Sequence, residues 1–212
     1  MNIILLGAPG AGKGTQAELL REALCIPSIS TGNMLREAMA NGSALGKQVK
    51  DYMDSGSLVP DDVILSIVAE RVAQSDCKNG FILDGVPRTL VQAEALDAKG
   101  VCIDRVVSLE VDDQKIVSRM SGRRVCTACG ATYHIVNNPT KTEGVCDLCG
   151  KEVAIHKDDT PETVQHRLDV YHASTEVLKD YYRKQGKLCL VCGDQPIADA
   201  FKAILAALGV TA

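Results

Sequence analysis

Aromatic residues are scarce in this sequence. It contains no Trp, two Phe and five Tyr, and its formal net charge is −4 at neutral pH. Proteins that bind nucleic acid commonly present a basic surface with aromatic side chains on which bases stack. The composition therefore excludes a nucleic-acid-binding surface of that kind, and we expect no nucleic-acid partner.

Long apolar runs are also missing. A membrane-spanning helix needs about 20 consecutive apolar residues, and no run approaches that length although 46% of the residues are hydrophobic. Because residues 2–6 already predict a β-strand, we expect neither a membrane partner nor a cleaved signal peptide. Nine cysteines, four of them spaced as metal ligands, favour a reducing, cytoplasmic compartment.

Glycine is concentrated after the first predicted strand, where residues 7–15 read Gly-Ala-Pro-Gly-Ala-Gly-Lys-Gly-Thr and a helical pattern follows. A strand, a glycine-rich loop, a Lys and a helix in this order are typical of a phosphate-binding loop. Lys13 would supply charge to the outer phosphates, and Thr15 would contact a cation or a phosphate oxygen. The predicted binding residues are Gly10, Ala11, Gly12, Lys13, Gly14 and Thr15.

Hydrophobic periodicity predicts an α/β fold in which a parallel sheet of about five strands is flanked by helices. The predicted strands are residues 2–6, 25–30, 80–85, 104–111 and 187–191. The predicted helices are residues 15–24, 35–40, 45–55, 61–72, 112–121 and 197–208, and Thr160 and Pro161 start another. Asp84 ends a buried strand at the edge where such folds bind ligands, so we expect it to order the waters around Mg²⁺.

Four cysteines form two C-x₂-C pairs, each followed by a glycine: Cys126 with Cys129, and Cys146 with Cys149. This spacing favours a closed, structural tetrahedral Zn²⁺ site over disulfides or inert thiols, although Fe²⁺ and Co²⁺ also accept four thiolates. Few apolar residues lie between the pairs, so the metal would replace a core. The other five cysteines are predicted to be buried core thiols: Cys25, Cys77, Cys102, Cys189 and Cys192.

These motifs together resemble the adenylate kinase family of nucleoside monophosphate kinases, in its bacterial form with a long zinc-binding lid. The resemblance rests on the loop at 7–15, the segment Ser-Thr-Gly-Asn-Met-Leu-Arg at 30–36, Asp-Gly-Val-Pro-Arg-Thr at 84–89 and the paired cysteines, and it covers nearly the whole chain. It implies a core at 1–29, 70–121 and 160–212, a small helical AMP-binding insert at 30–69 and a lid at 122–159. It also implies the transfer of a phosphoryl group from Mg²⁺·ATP to AMP, giving two ADP. We expect a monomer, because the sequence has neither heptads nor an obvious interface stripe.

The resemblance also implies roles for single residues. Lys13, Asp84, Arg88, Arg123 and Arg167 would be catalytic, and Arg119, Arg123, Thr132, Tyr133 and Gln195 would join the loop in binding ATP. AMP would bind to Thr31, Arg36, Ser57, Leu58, Val59, Gly85, Val86, Pro87, Arg88, Gln92, His156 and Arg167. Local patterns alone also allow a helix cap at Thr31, a plain connector at 57–60, an exposed helix residue at Gln92, and surface positions for Tyr133 and His134.

Three positions depart from the family pattern. Val86 replaces Phe, Gln195 replaces Lys, and His156 replaces an Arg that clamps phosphate. His lacks the bidentate fork of Arg and must be protonated to supply charge, so we expect reduced turnover or turnover that rises at lower pH. Two alternatives follow: a kinase of another monophosphate, such as UMP or GMP, and a nucleotide-binding sensor with impaired chemistry.

Overall fold

The computed structural model describes residues 1–155 and 159–210. Its strands are β1 (Asn2–Gly7), β2 (Ser28–Ser30), β3 (Phe81–Asp84), β4 (Arg105–Glu110), β5 (Arg123–Cys126), β6 (Thr132–His134), β7 (Val153–Ile155) and β8 (Leu188–Cys192). Five of them form one parallel sheet in the order β2-β3-β1-β4-β8. The predicted five-stranded α/β sheet is confirmed.

The helices are α1 (Lys13–Leu24), α2 (Thr31–Ala40), α3 (Ala44–Ser55), α4 (Asp61–Val72), α5 (Leu90–Ala98), α6 (Asp113–Gly122), α7 (Pro161–Val170), α8 (Leu178–Lys184) and α9 (Ile197–Leu208). A 3₁₀ turn covers Ser75–Cys77, and a π-helical turn at Tyr171–Thr175 continues α7. Among the described residues, no helix has the length and apolar character needed to cross a membrane.

The central strand β1 is apolar because both faces of the sheet are covered. Ile3 and Leu5 face a cluster that includes residues of α1 and α9, whereas Ile4 and Leu6 face a second cluster on the opposite side. Alternate residues of a strand point to opposite faces, so a continuous apolar run fits a strand buried on both sides. This arrangement fixes the loop after β1 at the carboxyl edge of the sheet.

Helices α2, α3 and α4 follow β2 and make up the helical segment, Thr31 to Val72. Ser30 and Ser43 cap α2 and α3, and the Ser43 hydroxyl accepts the N–H of Gly46 at 3.0 Å. A Cβ atom on Gly46 would lie 2.1 Å from the Ala38 carbonyl oxygen, so only glycine allows this contact between α2 and α3. The segment packs through Leu35, Val49 and Val68 onto the same core cluster as β3.

Strands β5, β6 and β7 form a separate antiparallel sheet in the order β6-β5-β7. We call residues 123–155 the cysteine module. Its buried cluster consists of Cys126, Tyr133 and Cys146 with Ala131 and Val153 against them. So small an apolar cluster agrees with the expectation that a metal substitutes for a core in this part of the chain.

The prediction of five buried core thiols is wrong for three of them. Cys77 is buried and Cys189 half-buried, but Cys25, Cys102 and Cys192 are exposed. Cys25 ends α1 in the left-handed conformation at φ 52°, and Cys102 lies in the connection before β4. Cys192 is the last residue of β8, which lies at one end of the sheet order, so core packing does not cover its side chain.

Candidate active site

One cavity of about 630 Å³ opens at the carboxyl edge of the parallel sheet. The loop after β1 forms its floor, and residues of α2, α6, α7, the cysteine module and the connection before α9 form its walls. The predicted site residues that line it are Gly10, Ala11, Gly12, Lys13, Gly14, Thr15, Arg36, Asp84, Gly85, Arg88, Arg119, Arg123, Thr132, Tyr133, Arg167 and Gln195. We call it the main cavity.

Lys13 closes the glycine-rich loop on itself. Its ammonium group donates to the carbonyl oxygens of Gly7 at 2.7 Å and Ala8 at 2.8 Å. Desolvation lowers the pKa of Lys13 to about 8; the nearby Arg88, Arg167 and Arg123 act in the same direction, whereas Asp84 opposes them. A polyanion bound in the main cavity would therefore stabilise the charged form of Lys13 and raise its pKa.

Among the described residues, five arginines line the main cavity together with Lys13: Arg36, Arg88, Arg119, Arg123 and Arg167. They come from α2, the connection after β3, α6, β5 and α7, so the tertiary fold is what brings them together. Guanidinium groups form bidentate hydrogen bonds with phosphate oxygens. The charge of the cavity fits a ligand that carries several phosphates.

Arg88 and Thr31 are held by the same backbone carbonyl. The carbonyl oxygen of Gly85 accepts from Arg88 Nε at 2.9 Å and from the Thr31 hydroxyl at 3.1 Å. Gly85 has φ +86°, and a Cβ atom there would lie 2.9 Å from the Thr31 hydroxyl oxygen, so glycine is required. Burial lowers the pKa of Arg88 from its usual value, and Asp84 opposes the shift. Arg88 is thus fixed at the cavity through Nε, and within residues 1–155 and 159–210 no hydrogen bond occupies its Nη atoms, which could therefore bind an anion.

Gln92 is buried and bonded within the protein. Its carbonyl oxygen accepts the N–H of Arg88 at 2.7 Å, and its amide nitrogen donates to Asp61 Oδ1 at 2.7 Å. Asp61 also accepts from the Thr89 hydroxyl at 3.1 Å. The alternative of an exposed helix residue is wrong for Gln92, while its role toward a nucleotide base stays a prediction.

The residues predicted around the base of AMP lie beside the main cavity. Leu58 and Pro87 line a smaller adjoining cavity of about 60 Å³, which Arg88 and Arg167 share with the main cavity. Val59 and Val86 are buried, and the Ser57 hydroxyl lies 3.4 Å from His166 Nε2. The structure therefore places this group next to the arginines, but Ser57, Val59, Val86 and Gln92 are not lining residues of the main cavity.

Arg119 is held by the connection between β8 and α9. Its Nη1 atom donates to the Gly193 carbonyl oxygen at 3.0 Å, and its Nη2 atom to Asp194 Oδ1 at 3.3 Å. Lys115 forms an ion pair with the other oxygen of Asp194. Gln195 donates to the Cys192 carbonyl oxygen at 2.8 Å. Arg119 and Gln195 therefore lie on the same wall of the main cavity, and their shared role in binding ATP stays a prediction.

The four paired cysteines form one cluster. Their Sγ atoms all lie within 4.8 Å of one another, with 3.4 Å between Cys126 and Cys149 and 3.6 Å between Cys129 and Cys146. A tetrahedral Zn²⁺ site with bonds of about 2.3 Å has sulfur atoms about 3.8 Å apart, so the cluster fits Zn²⁺. The glycines after each pair adopt φ +73° and +70°, and backbone N–H groups face the sulfur atoms, as predicted from the sequence.

Tyr133 is buried between the cysteine cluster and the main cavity. Its hydroxyl oxygen lies 3.3 Å from Cys146 Sγ and accepts the N–H of Asp147 at 2.9 Å. The hydrogen bond between the Tyr133 hydroxyl and Cys146 Sγ is the main reason that the pKa of Cys146 is lowered to about 6. The alternative of a surface position is wrong for Tyr133. Its neighbour Thr132 is exposed, although it also lines the main cavity.

Several lining residues were not predicted. They are Gln16, Asn33, Asn137 and Asn138. Gln16 is the clearest, because its amide donates to the Ile197 carbonyl oxygen at 3.0 Å although 181 residues separate the two. The sequence could have indicated that Gln16 lines the cavity, because it directly follows the glycine-rich loop at residues 7–15. His156, predicted to bind AMP, lies outside the described residues.

The fold and the main cavity are those of a phosphate-binding-loop protein that holds nucleotides at the carboxyl edge of a parallel sheet. Comparison with known proteins narrows this class. The family model described as adenylate kinase matches residues 5–187. The chain is 54% identical to adenylate kinase of Caldicellulosiruptor bescii, with 99% of this chain and 100% of that protein covered.

Two further relatives agree. Identity is 54% to adenylate kinase of Agathobacter rectalis, with 99% of this chain and 100% of that protein covered. It is 52% to adenylate kinase of Clostridioides difficile, with 99% of both chains covered. The chain belongs to the adenylate kinase family and is an enzyme of its class, the ATP:AMP phosphotransferases.

Proposed function

We propose that the protein transfers the γ-phosphoryl group of Mg²⁺·ATP reversibly to AMP, giving two ADP, and so balances the adenine nucleotides of the cell. The observation that carries the proposal is the convergence of Lys13 and five arginines on one cavity behind a phosphate-binding loop. The names of the relatives and the family model support the same reaction.

The reaction needs no general base, since the attacking phosphate oxygen of AMP is already anionic. Catalysis then depends on alignment of the two phosphate chains and on neutralisation of the charge that spreads over the transferred group. Lys13 and Arg123 would contact the transferred group, and Arg88 would hold the AMP phosphate. Arg167 lines both cavities and would bridge the donor and acceptor sites.

The residues around the loop fit the Mg²⁺ that accompanies ATP. Thr15 and Asp84 both line the main cavity, and Asp84 Oδ2 lies close to Gly14, where an added Cβ atom would be 3.8 Å away. Hydroxyl, carboxylate and water oxygens are the ligands that Mg²⁺ prefers. Thr15 and Asp84 would hold this Mg²⁺, Asp84 through water, and the ion would supply positive charge to the β- and γ-phosphate oxygens.

The two substrates would occupy opposite sides of the arginines. ATP would lie between the glycine-rich loop, Arg119 and the Gly193–Gln195 backbone, and AMP would lie toward Thr31, Arg36 and Arg88. We propose that residues 30–69 form an AMP-binding insert and residues 122–159 a lid, both attached to a core of 1–29, 70–121 and 160–212. Their closure would exclude water, because hydrolysis of ATP competes with transfer.

We propose Zn²⁺ as the structural metal of the cysteine cluster, since four thiolates fill all of its coordination positions. The enzyme would act as a cytoplasmic monomer, and its thiol-rich composition supports a reducing compartment.

A kinase of another monophosphate is a second candidate. The Gln92 amide already forms hydrogen bonds with Arg88 and Asp61, so it must exchange one of these partners to bind adenine.

The test measures ADP formation from Mg²⁺·ATP with AMP, UMP, CMP or GMP as acceptor, on protein assayed for bound zinc. We expect rapid turnover with AMP and at least tenfold less with the others. Lys13→Met should abolish turnover, while Lys50→Met, at an exposed position in α3, is the matched control and should leave it unchanged. Equal or faster turnover with UMP or GMP would overturn the choice of AMP. Tight nucleotide binding without transfer would instead favour the sensor, with His156 as the first residue to convert to Arg.

A further inference from the structure

The hydroxyl group of Tyr133 has a defined hydrogen-bond direction. The backbone nitrogen of Asp147 can only donate, so at 2.9 Å the Tyr133 oxygen is the acceptor of that bond. The hydroxyl proton is then available for its other neighbour, Cys146 Sγ, at 3.3 Å. A sulfur atom that ligates a metal is a thiolate and accepts hydrogen bonds. The geometry therefore makes Tyr133 a donor to one of the four cluster sulfur atoms.

Tyr133 belongs to two sites at once. It is a member of the small buried cluster of the cysteine module, with Cys126 and Cys146, and it also lines the main cavity. Its strand β6 pairs with β5, where Tyr133 lies opposite Arg124 and His134 opposite Arg123. A shift of the Tyr133 ring would therefore change its contact with Cys146 and would also displace β5, the strand that carries Arg123.

We propose that Tyr133 is a positioning residue that links the cysteine cluster to the nucleotide cavity, its hydroxyl holding the metal-bound Cys146 sulfur and its ring forming part of the cavity wall. The inference rests on the proposed nucleotide site and on a metal in the cluster. Through this link, a metal held in the module and a nucleotide held in the main cavity stabilise each other. Such coupling is reciprocal, because each ligand must change the affinity of the other by the same factor.

The first test removes the hydroxyl and keeps the ring. Zinc-loaded wild-type and Tyr133→Phe proteins are mixed with the chromogenic chelator 4-(2-pyridylazo)resorcinol, whose absorbance reports zinc transfer. Loss of a hydrogen-bonding partner of a metal ligand typically lowers metal affinity by about 10- to 100-fold, and we expect a loss in that range. Tyr181→Phe is the control, since its hydroxyl donates to Asp97 at 2.6 Å outside the cysteine module. Wild-type zinc retention in Tyr133→Phe would overturn the proposal.

A spectroscopic measurement separates the hydrogen bond from any loss of folding. With Co²⁺ in place of zinc at full occupancy, the thiolate-to-cobalt charge-transfer bands report the electron density on sulfur. A hydrogen bond to sulfur lowers that density, so Tyr133→Phe should shift the bands to lower energy. Bands identical to those of the wild type would show that the hydroxyl does not bond to a metal-bound thiolate, and would overturn the assignment.

The link to the cavity is tested without turnover. Saturating Mg²⁺·ATP should slow zinc release from the wild type and from Tyr181→Phe, and it should have little effect on release from Tyr133→Phe. An equal effect of ATP on all three proteins, or none on the wild type, would overturn the coupling. Failure of the proposed reaction gives a result that can be told apart from failure of this inference. In that case no ADP is formed, but zinc release and the cobalt spectrum still differ between Tyr133→Phe and Tyr181→Phe.

Discussion

Asp159 holds the guanidinium of Arg123 through both carboxylate oxygens: Oδ2 accepts from Nε at 2.7 Å and Oδ1 accepts from Nη2 at 2.5 Å. The Asp159 side chain is fully buried, and that of Arg123 is 21% exposed. Arg123 begins β5, and Asp159 immediately precedes Thr160, the cap of α7. The pair therefore ties together the two ends of the segment that carries the cysteine module, and it fixes one Arg at the main cavity.

Asp159→Asn should weaken both the fold and the site. The amide of this variant would keep one acceptor oxygen but would place an NH₂ group against the Arg123 guanidinium, so one of the two hydrogen bonds would be lost. A hydrogen bond to a charged group contributes about 1.5–3 kcal/mol to the free energy of unfolding. We expect a loss of that order in the free energy of unfolding in urea, together with lower turnover. Arg123→Lys is the companion variant, which keeps the charge and loses the fork. If Asp159→Asn had the same unfolding midpoint and the same turnover as the wild type, the pair would neither stabilise the fold nor position Arg123.

Nucleotide binding should depend on the protonation of Lys13. Its pKa of about 8 lies below the usual value, so in the free protein the charged form is lost as the pH rises through 8. Bound phosphate favours the charged form, and binding near pH 8.5 should therefore be accompanied by proton uptake. Calorimetry in two buffers of different ionisation enthalpy measures this uptake. Lys13→Arg stays charged over the whole range and should show none; equal uptake in both proteins would assign the proton to another group.

Gln16 is expected to position the ATP-side wall. Its amide fastens α1 to the carbonyl of Ile197 at the start of α9, and its Oε1 atom is buried without a hydrogen-bond partner among the described residues. Gln16→Leu removes a bond of about 1 kcal/mol, so the KM for ATP should rise about fivefold and the KM for AMP should not. Gln165→Leu, at an exposed position in α7, is the control. A parallel rise in both KM values would contradict a local role.

Two adjacent tyrosines should respond oppositely to removal of their hydroxyls. The Tyr182 hydroxyl is buried with no hydrogen-bond partner in the described residues, whereas that of Tyr181 donates to Asp97. A buried polar group without a partner costs about 1–3 kcal/mol. Tyr182→Phe should therefore leave the free energy of unfolding unchanged or raise it by about 1 kcal/mol, and Tyr181→Phe should lower it. A clear loss of stability in Tyr182→Phe would reveal an ordered water at this hydroxyl.

His172 should make stability depend on pH near neutrality. Its ring bonds to Glu176 at 2.8 Å and to Asp113 at 2.9 Å, and these bonds raise its pKa. Lys179 also contacts Glu176. A raised pKa in the folded state stabilises the protein fully below the unfolded value of about 6.5, and this contribution is lost as the pH rises through the folded value.

His172→Gln should remove that dependence. The difference in urea midpoint between wild type and variant should be largest at pH 5.5 and should shrink as the pH rises toward 8.5. His166→Gln is the control, because it changes a histidine of α7 that has neither of these carboxylate partners. A difference that is constant over this pH range would mean that the ring contributes through packing, not through charge.

Local patterns predicted most of the secondary structure. Helices α4 and α9 have the bounds expected from periodicity, since each follows a Pro and carries an apolar face. Helix α2 begins at Thr31 and not at residue 35, because Ser30 caps it directly after β2. The exposure of Cys25, Cys102 and Cys192 could not be predicted, because it depends on which segments cover each thiol.

The sequence by itself determined the parts whose geometry is local. Three features are of this kind: the loop at residues 7–15, the strand and helix on either side of it, and each of the two C-x₂-C pairs. The residues that interact in each of them are only a few positions apart in the chain, so spacing and residue type are sufficient to predict them. Only the tertiary structure decided which distant groups meet: Arg123 with Asp159, Gln92 with Asp61, Gln16 with Ile197, and Tyr133 with Cys146. Those contacts depend on how the sheet and the cysteine module place segments far apart in the chain, and periodicity carries no information about that placement.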